Sequence, residues 1–74
     1  MSKEELRRLI EAELEAIPLV HMRGLAFYLL DHLPESFWLA PASSSGKYHP
    51  PDERGPGGTA LHTARVIRLA LEMA

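Results

Sequence analysis

The sequence contains no cysteine among its 74 residues. This absence excludes disulfide bonds and zinc sites built from thiolates. The chain also has no apolar stretch near the roughly 20 residues that a membrane-spanning helix needs. Residues 1–5 are already charged and lack the basic and then apolar order of a signal peptide. A cytoplasmic protein without membrane contact is therefore expected.

A strong charge of one sign is absent as well. Eight Lys and Arg residues stand against ten Asp and Glu residues, which gives a net charge of −2 with neutral histidines. Nucleic-acid-binding proteins usually present a basic surface, so this balance argues against that class. A nucleotide or nucleic acid bound through the stretch from Lys47 to Arg54 stays open as a weaker alternative. The length predicts one small domain, whose single core rarely leaves more than about 3–5 kcal/mol of net stability.

Apolar periodicity predicts an all-helical fold with about three main helices. Ser2 and Glu5 have the spacing of a capping box, and apolar residues at helical intervals follow them. Pro18 separates this first helix from a second one, and Pro34 ends the second. Residues 1–33 are therefore predicted to form a helix pair.

Residues 34–58 are predicted to be a long ordered loop. Five of the six prolines and four of the five glycines lie in this segment, so it has no helical periodicity. A short apolar island at residues 36–39 is expected to form a helical turn with Trp38 in the core. Long loops in compact domains are uncommon and are usually functional or disordered.

Residues 59–74 are predicted to form the third helix, which opens at a Gly57-Gly58 pair. Apolar residues cover most of its surface, so we expect it to lie centrally or to join copies of the chain into a homo-oligomer. The end of this helix carries neither a glycine cap nor a proline, the residues that usually mark where a helix stops. A chain that is truncated, or that is completed by another molecule, is therefore expected.

His62 is the main candidate for chemistry because it lies in the first turn of the predicted third helix. Val66 and Leu69 share its helical face, which predicts a ring directed toward the buried side. A neutral imidazole on a rigid helix is a good metal ligand. From periodicity alone, a core histidine bonded to a backbone carbonyl or a neighbour is the more frequent case.

Lys47, His49, Arg54 and Gly58 are candidate phosphate-binding residues. Glycines before a helix allow close backbone approach, and the N–H groups of a helix start attract anions. Lys47 and Arg54 add positive charge, while His49 has the chemistry to ligate a metal or to protonate a phosphate oxygen. The spacing is not that of a P-loop, and no serine nucleophile elbow is present. The alternative is a solvated loop followed by an ordinary helix cap.

Residues 37–50, the Gly57-Gly58 pair and residues 61–66 together resemble the opening of the HD-domain phosphohydrolase family. In that family a serine run and a Lys-Tyr-His-Pro element precede a Gly-Gly turn. A helix with the first metal-ligand histidine follows, in a Leu-His-Thr context. The resemblance covers about half of the chain. It implies that His62 is a metal ligand and that a divalent metal ion is the cofactor.

The resemblance also implies ligands that this sequence does not contain. The family uses a His-Asp dyad on a later helix and a further aspartate, whereas residues 63–74 include neither histidine nor aspartate. One ligand cannot hold a hydrolytic metal that keeps a position open for water. We therefore expect the N-terminal part of a metal-dependent phosphohydrolase that acts on a phosphate-containing small molecule. It is expected to have no catalytic residues of its own and to be inactive alone. A non-enzymatic helical module that oligomerises is the alternative.

Overall fold

The structure is a computed structural model that describes residues 1–42 and 49–73, and in these ranges it consists of four α-helices and one 3-10 turn. The helices are α1 (Lys3–Leu14), α2 (Val20–Asp31), α3 (Glu35–Leu39) and α4 (Gly58–Met73), and the 3-10 turn spans Pro51–Glu53. No strand occurs in the described ranges, so the predicted all-helical class is confirmed. None of the described helices combines the length and the apolar character needed to cross a membrane.

The start of α1 is fixed by the predicted capping box. The Ser2 hydroxyl accepts the N–H of Glu5 at 3.1 Å, and the Glu5 carboxylate accepts the N–H of Ser2 at 2.9 Å. The backbone N–H of Ser2 also holds the pKa of Glu5 below its usual value, because it stabilises the ionised carboxylate. From this cap the helix turns one apolar face inward, and its buried residues are Leu6, Ile10 and Leu14.

The core forms where α1 packs against α4, and α2 and α3 contact α1 beside this interface. Trp38 of α3 is buried in it, as predicted, and its ring meets Phe37 edge to face at 5.0 Å. The two α4 residues in the core are alanines, which let the helix backbone approach its neighbours closely. The buried cluster consists of Leu6, Ile10, Leu14, Leu30, Trp38, Ala60 and Ala64.

The last helix lies centrally, as predicted, because it packs against α1, α3 and the 3-10 turn, but several of its large apolar side chains are exposed. Within the described part of α4, only Gly58, Ala60 and Ala64 are buried. Val66 and Leu69 are about half exposed. The prediction that these two residues lie on a buried face is therefore wrong, whereas the His62 ring does contact a buried side chain, that of Glu53. The fully buried residues of α4 are small ones, and Leu61 and Ile67 pack beside them against the core while partly exposed.

The predicted loop between α2 and α4 contains α3, which is the expected helical turn at residues 36–39, and also a 3-10 turn that the sequence did not predict. Its backbone is also bonded to the start of α4. The N–H of Gly57 donates to the carbonyl of Leu39 at 3.2 Å, and the N–H of Thr59 donates to that of Ala40 at 2.9 Å. The serine run lies in residues 43–48, outside the described residues.

Packing explains the two glycines at the start of α4. Gly57 has a φ angle of +83°, in the left-handed region that favours glycine. A Cβ atom on Gly58 would lie 1.8 Å from the carbonyl oxygen of Glu53. The 3-10 turn can therefore approach α4 this closely only because position 58 has no side chain.

Gly58→Ala is expected to destabilise the fold by roughly 1–3 kcal/mol, the usual cost of overpacking. The new methyl group meets backbone, which cannot rotate away. Gly24→Ala is the matched control, because a Cβ atom at this position in α2 meets nothing within 4 Å. The control should stabilise the protein by roughly 0.5–1 kcal/mol through helix propensity. Urea denaturation measures both variants, and equal stabilities would contradict the close approach at position 58.

Candidate metal centre

His49, Glu53 and His62 come together beside the start of α4. The Nδ1 atom of His49 lies 3.1 Å from Glu53 Oε1, and that of His62 lies 2.9 Å from the same oxygen. One potential ligand atom of each residue lies within 4.8 Å of those of the other two. A single carboxylate oxygen therefore joins a histidine before the 3-10 turn to a histidine of α4.

The local sequence explains how Glu53 reaches this position. Pro50 and Pro51 restrict the backbone φ angles at the start of the 3-10 turn. The N–H of Glu53 donates to the Pro50 carbonyl at 2.9 Å, and the Glu53 carbonyl accepts the N–H of Ala42 at 2.9 Å. Because both backbone groups of Glu53 are bonded, its side chain leaves the turn in a fixed direction.

Solvent reaches the three side chains of the cluster to different extents, least at the Glu53 carboxylate and most at the His62 ring. The Glu53 side chain is 3% exposed, whereas those of His49 and His62 are 21% and 44% exposed. The two imidazole rings are nearly perpendicular, at 84°, and their centroids lie 4.9 Å apart. An ion or a water molecule can therefore reach the rings from the His62 side.

Arg65 neutralises much of the buried charge. Its guanidinium group lies 2.6 Å from Glu53 Oε2 and makes two contacts with Asp52, at 2.6 and 3.0 Å. A carboxylate removed from water is costly without such a partner. Arg65 follows His62 by three residues, so one side of α4 presents both a cation and an imidazole to Glu53.

These contacts shift the pKa values of the acidic residues. The hydrogen bond from Arg65 is the largest cause that lowers the pKa of Glu53; burial opposes it, and the bonds from His49 and His62 add to it. Arg65 also lowers the pKa of Asp52, and the two carboxylates raise the pKa of Arg65. Glu53 is therefore ionised at neutral pH. Asp52 and Glu53 against Arg65 leave one negative charge among these three groups, and the guanidinium group of Arg54 lies at the other side of His49.

The arrangement has the chemistry of a transition-metal site. Imidazole nitrogen and carboxylate oxygen are the donors that zinc and related divalent ions use in proteins. The half-exposed ring of His62 gives a cation access to these donors. The residues present therefore fit a divalent metal ion.

The other residues predicted to form the site have different surroundings. Arg54 donates from Nε to the backbone carbonyl of His49 at 2.7 Å and so braces the turn. The N–H of Gly58 donates to the Gly55 carbonyl at 3.0 Å. Lys47 lies outside the described residues. Phosphate binding by these residues and by His49 stays a prediction.

The site predicted from the sequence did not include Asp52, Glu53 and Arg65. Two spacings point to them: Glu53 follows His49 by four residues, and Arg65 follows His62 by three. Each spacing is common in helical proteins and does not by itself indicate a site. It indicates one here only because the 3-10 turn packs against α4. That meeting depends on the tertiary structure.

Comparison of the chain with protein-family models, with curated proteins and with solved structures finds no match.

Acid is expected to weaken the fold through Glu53. Because the folded-state pKa of Glu53 lies below its ordinary value of 4.5, its contribution is complete above about pH 4.5 and is lost as the pH falls through the folded-state pKa. Glu53→Gln should lower the free energy of unfolding at neutral pH and flatten this acid dependence. Urea denaturation at a series of acidic pH values measures the free energy of unfolding of both proteins.

Glu15→Gln is the control for this experiment, since Glu15 is exposed and has no ion-pair partner among the described residues. This variant should retain the acid dependence of the wild-type protein. An acid profile of Glu53→Gln that runs parallel to the wild-type profile would contradict the lowered folded-state pKa of Glu53.

Proposed function

We propose that this chain is the N-terminal, metal-binding part of an HD-type metal-dependent phosphohydrolase. One observation carries the proposal: His49 and His62 both contact Glu53 Oε1. His49 belongs to the Lys-Tyr-His-Pro element and His62 to the Leu-His-Thr element, the two motifs on which the family resemblance depends. Their proximity supports a shared metal site.

The donor set favours zinc or a related transition metal over magnesium, because imidazole is a preferred ligand of the former and magnesium takes oxygen ligands. Tetrahedral zinc with bonds of about 2.0–2.1 Å needs ligand atoms about 3.3 Å apart. The candidate atoms already lie within 4.8 Å of one another. Binding therefore requires the ligand atoms to move closer together, and of the three side chains the His62 ring is the most open to solvent.

Some side chains of the site bind the metal ion, and others hold the site in position. His49 and His62 hold the ion, and Arg65 keeps the Glu53 carboxylate ionised beside them. When bound, a divalent metal supplies a Lewis acid and an acidified water molecule for attack on a phosphate ester. Arg54 and Lys47 are proposed to bind the phosphate.

Hydrolysis needs more ligands than this cluster offers. A catalytic site holds its metal by several protein ligands and keeps a position open for water. Residues 63–74 contain neither the His-Asp dyad nor the further aspartate of the family. We therefore propose that the chain alone binds metal without turning over phosphate esters.

Zinc is expected to bind the wild-type chain at one ion per molecule in calorimetric titration. His49→Ala and His62→Ala each remove a ligand, so each should weaken binding by more than the roughly 10–100-fold that loss of a supporting residue costs. His21→Ala is the control, because His21 is exposed on α2 and lies outside the cluster. Absence of zinc binding, or equal affinity in His62→Ala, would contradict the proposed function.

A second candidate function, a non-enzymatic oligomerisation module, is favoured by exposed apolar side chains. Met22, Leu25 and Leu29 form a stripe along α2, and each is more than half exposed. Contiguous apolar surface of this kind usually marks an interaction site. The sequence predicts self-association through the last helix, and α4 also exposes large apolar side chains. They are Val66, Leu69 and Met73.

Leu25→Glu is expected to shift the protein toward the monomer if this stripe joins two copies, since an unpaired charge in an apolar interface is costly. Light scattering across a concentration series measures the mass. Gly24→Glu is the control, because at 3.6 residues per turn position 24 points away from the stripe and has open space around it. A wild-type protein that stays monomeric at high concentration would exclude the oligomerisation module.

A further inference from the structure

We infer that Glu53 is the third ligand of the metal ion, which binds Oε1 of this residue together with the Nδ1 atoms of His49 and His62. This inference rests on the proposed metal binding and adds one ligand to the two histidines. The ion takes the place of the two hydrogens between Oε1 and the rings. Glu53 replaces none of the family ligands that the chain lacks, so the chain alone is still expected not to turn over phosphate esters.

The convergence of three donor atoms is the first reason. His49 Nδ1 lies 3.1 Å from Glu53 Oε1, and His62 Nδ1 lies 2.9 Å from the same oxygen. Ligand atoms on tetrahedral zinc lie about 3.3 Å apart, so these two separations need to widen by only a few tenths of an ångström. Binding also requires the two rings to turn until both Nδ1 lone pairs face the ion. An ion held by both Nδ1 atoms therefore lies beside Oε1.

The hydrogen bonds of the buried carboxylate are the second reason. An ionised carboxylate only accepts, so both Nδ1 atoms carry hydrogen in the metal-free chain. Each Nδ1 atom must lose this hydrogen to bind an ion, and Oε1 then loses both of its imidazole partners. An unpaired oxygen is costly on a carboxylate whose side chain is 3% exposed. Direct ligation removes this cost, because the ion replaces both hydrogens as the partner of Oε1.

The division of contacts between the two carboxylate oxygens is the third reason. Arg65 lies 2.6 Å from Oε2 and so leaves Oε1 to the imidazole side. Its guanidinium group also makes two contacts with Asp52, at 3.0 and 2.6 Å. This second carboxylate balances its charge and reduces its repulsion of a divalent ion. Two histidines and one glutamate, with solvent as the fourth ligand, are a set that zinc uses in proteins.

Nitrogen-15 NMR of the histidine-labelled chain tests which nitrogens bind. In the metal-free chain, we expect the neutral rings of His49 and His62 to carry hydrogen on Nδ1. Zinc should reverse both tautomers, because each ring gives the hydrogen on Nδ1 to solvent and takes one from solvent on Nε2. In the chain loaded with cadmium-113, scalar coupling should join the metal to Nδ1 of both rings. Coupling to Nε2 of either ring would overturn the inference.

Zinc titration of Glu53→Gln tests the carboxylate. Loss of a ligand should weaken binding by more than about 100-fold, beyond the roughly 10–100-fold that loss of a supporting residue costs. Asp52→Asn is the matched control, because it removes the same charge from the adjacent residue. Among the described residues, the Asp52 side chain contacts Arg65 and neither ring. This control should bind zinc far more tightly than Glu53→Gln, and equal affinities in the two variants would contradict ligation by Glu53.

A crystal of the zinc-loaded wild-type chain tests the same ligand without a variant. We expect the ion about 2.0–2.2 Å from Glu53 Oε1, the distance of a zinc–carboxylate bond. Oε2 should still be bonded to Arg65. A water molecule between the ion and Oε1 would overturn the inference.

The outcomes separate this inference from the proposed function. Zinc bound by both rings, with a water molecule between the ion and Glu53 or with coupling to Nε2, would overturn the third ligand and leave metal binding intact. Absence of zinc and cadmium binding in the wild-type chain would remove the proposed function and this inference with it.

Discussion

The buried Glu53 carboxylate is the interaction on which the site and its surroundings depend. It accepts hydrogen bonds from His49, His62 and Arg65, and it is almost inaccessible to solvent. An ionised group in this position is stable only when its acceptor sites are satisfied. The same three bonds that make its burial tolerable also orient the two imidazoles. The stability of this corner of the fold and its proposed chemistry therefore have one physical cause.

Close backbone packing brings that carboxylate to the histidines. The absence of a side chain at Gly58 allows the 3-10 turn to lie against the start of α4. Ala60 and Ala64 bury the next part of the helix, and this fixes its rotation about its own axis. With that rotation set, His62 and Arg65 both face the turn. Residues with little or no side chain thus determine where the charged ones meet.

Local signals made part of the fold predictable. The Ser2–Glu5 capping box, the break at Pro18 and the burial of Trp38 all follow from neighbouring residues, and the structure confirms them. The rotation of α4 was not predictable in this way. Large apolar residues lie on several of its faces and so hide which face is buried. The buried face is the one that carries Ala60 and Ala64.

The site was predictable only in part, for a related reason. The family resemblance pointed to His62 and placed His49 nearby in sequence, but a carboxylate in a proline-led turn gave no separate signal. The role of the Glu53 carboxylate depends on its contact with His62, which lies nine positions later in the sequence. Such a contact requires the whole fold, because neither helical periodicity nor turn chemistry specifies how a turn packs on a helix. Arg65 was overlooked for the same reason.

Anomalous diffraction at the zinc absorption edge, from crystals grown with zinc, tests the metal site most directly. We expect one strong peak about 2.0–2.1 Å from a ring nitrogen of both His49 and His62, with the Glu53 carboxylate still bonded to Arg65. A crystal with no peak at these two rings, or with zinc bound only elsewhere on the surface, would contradict a metal centre in this chain.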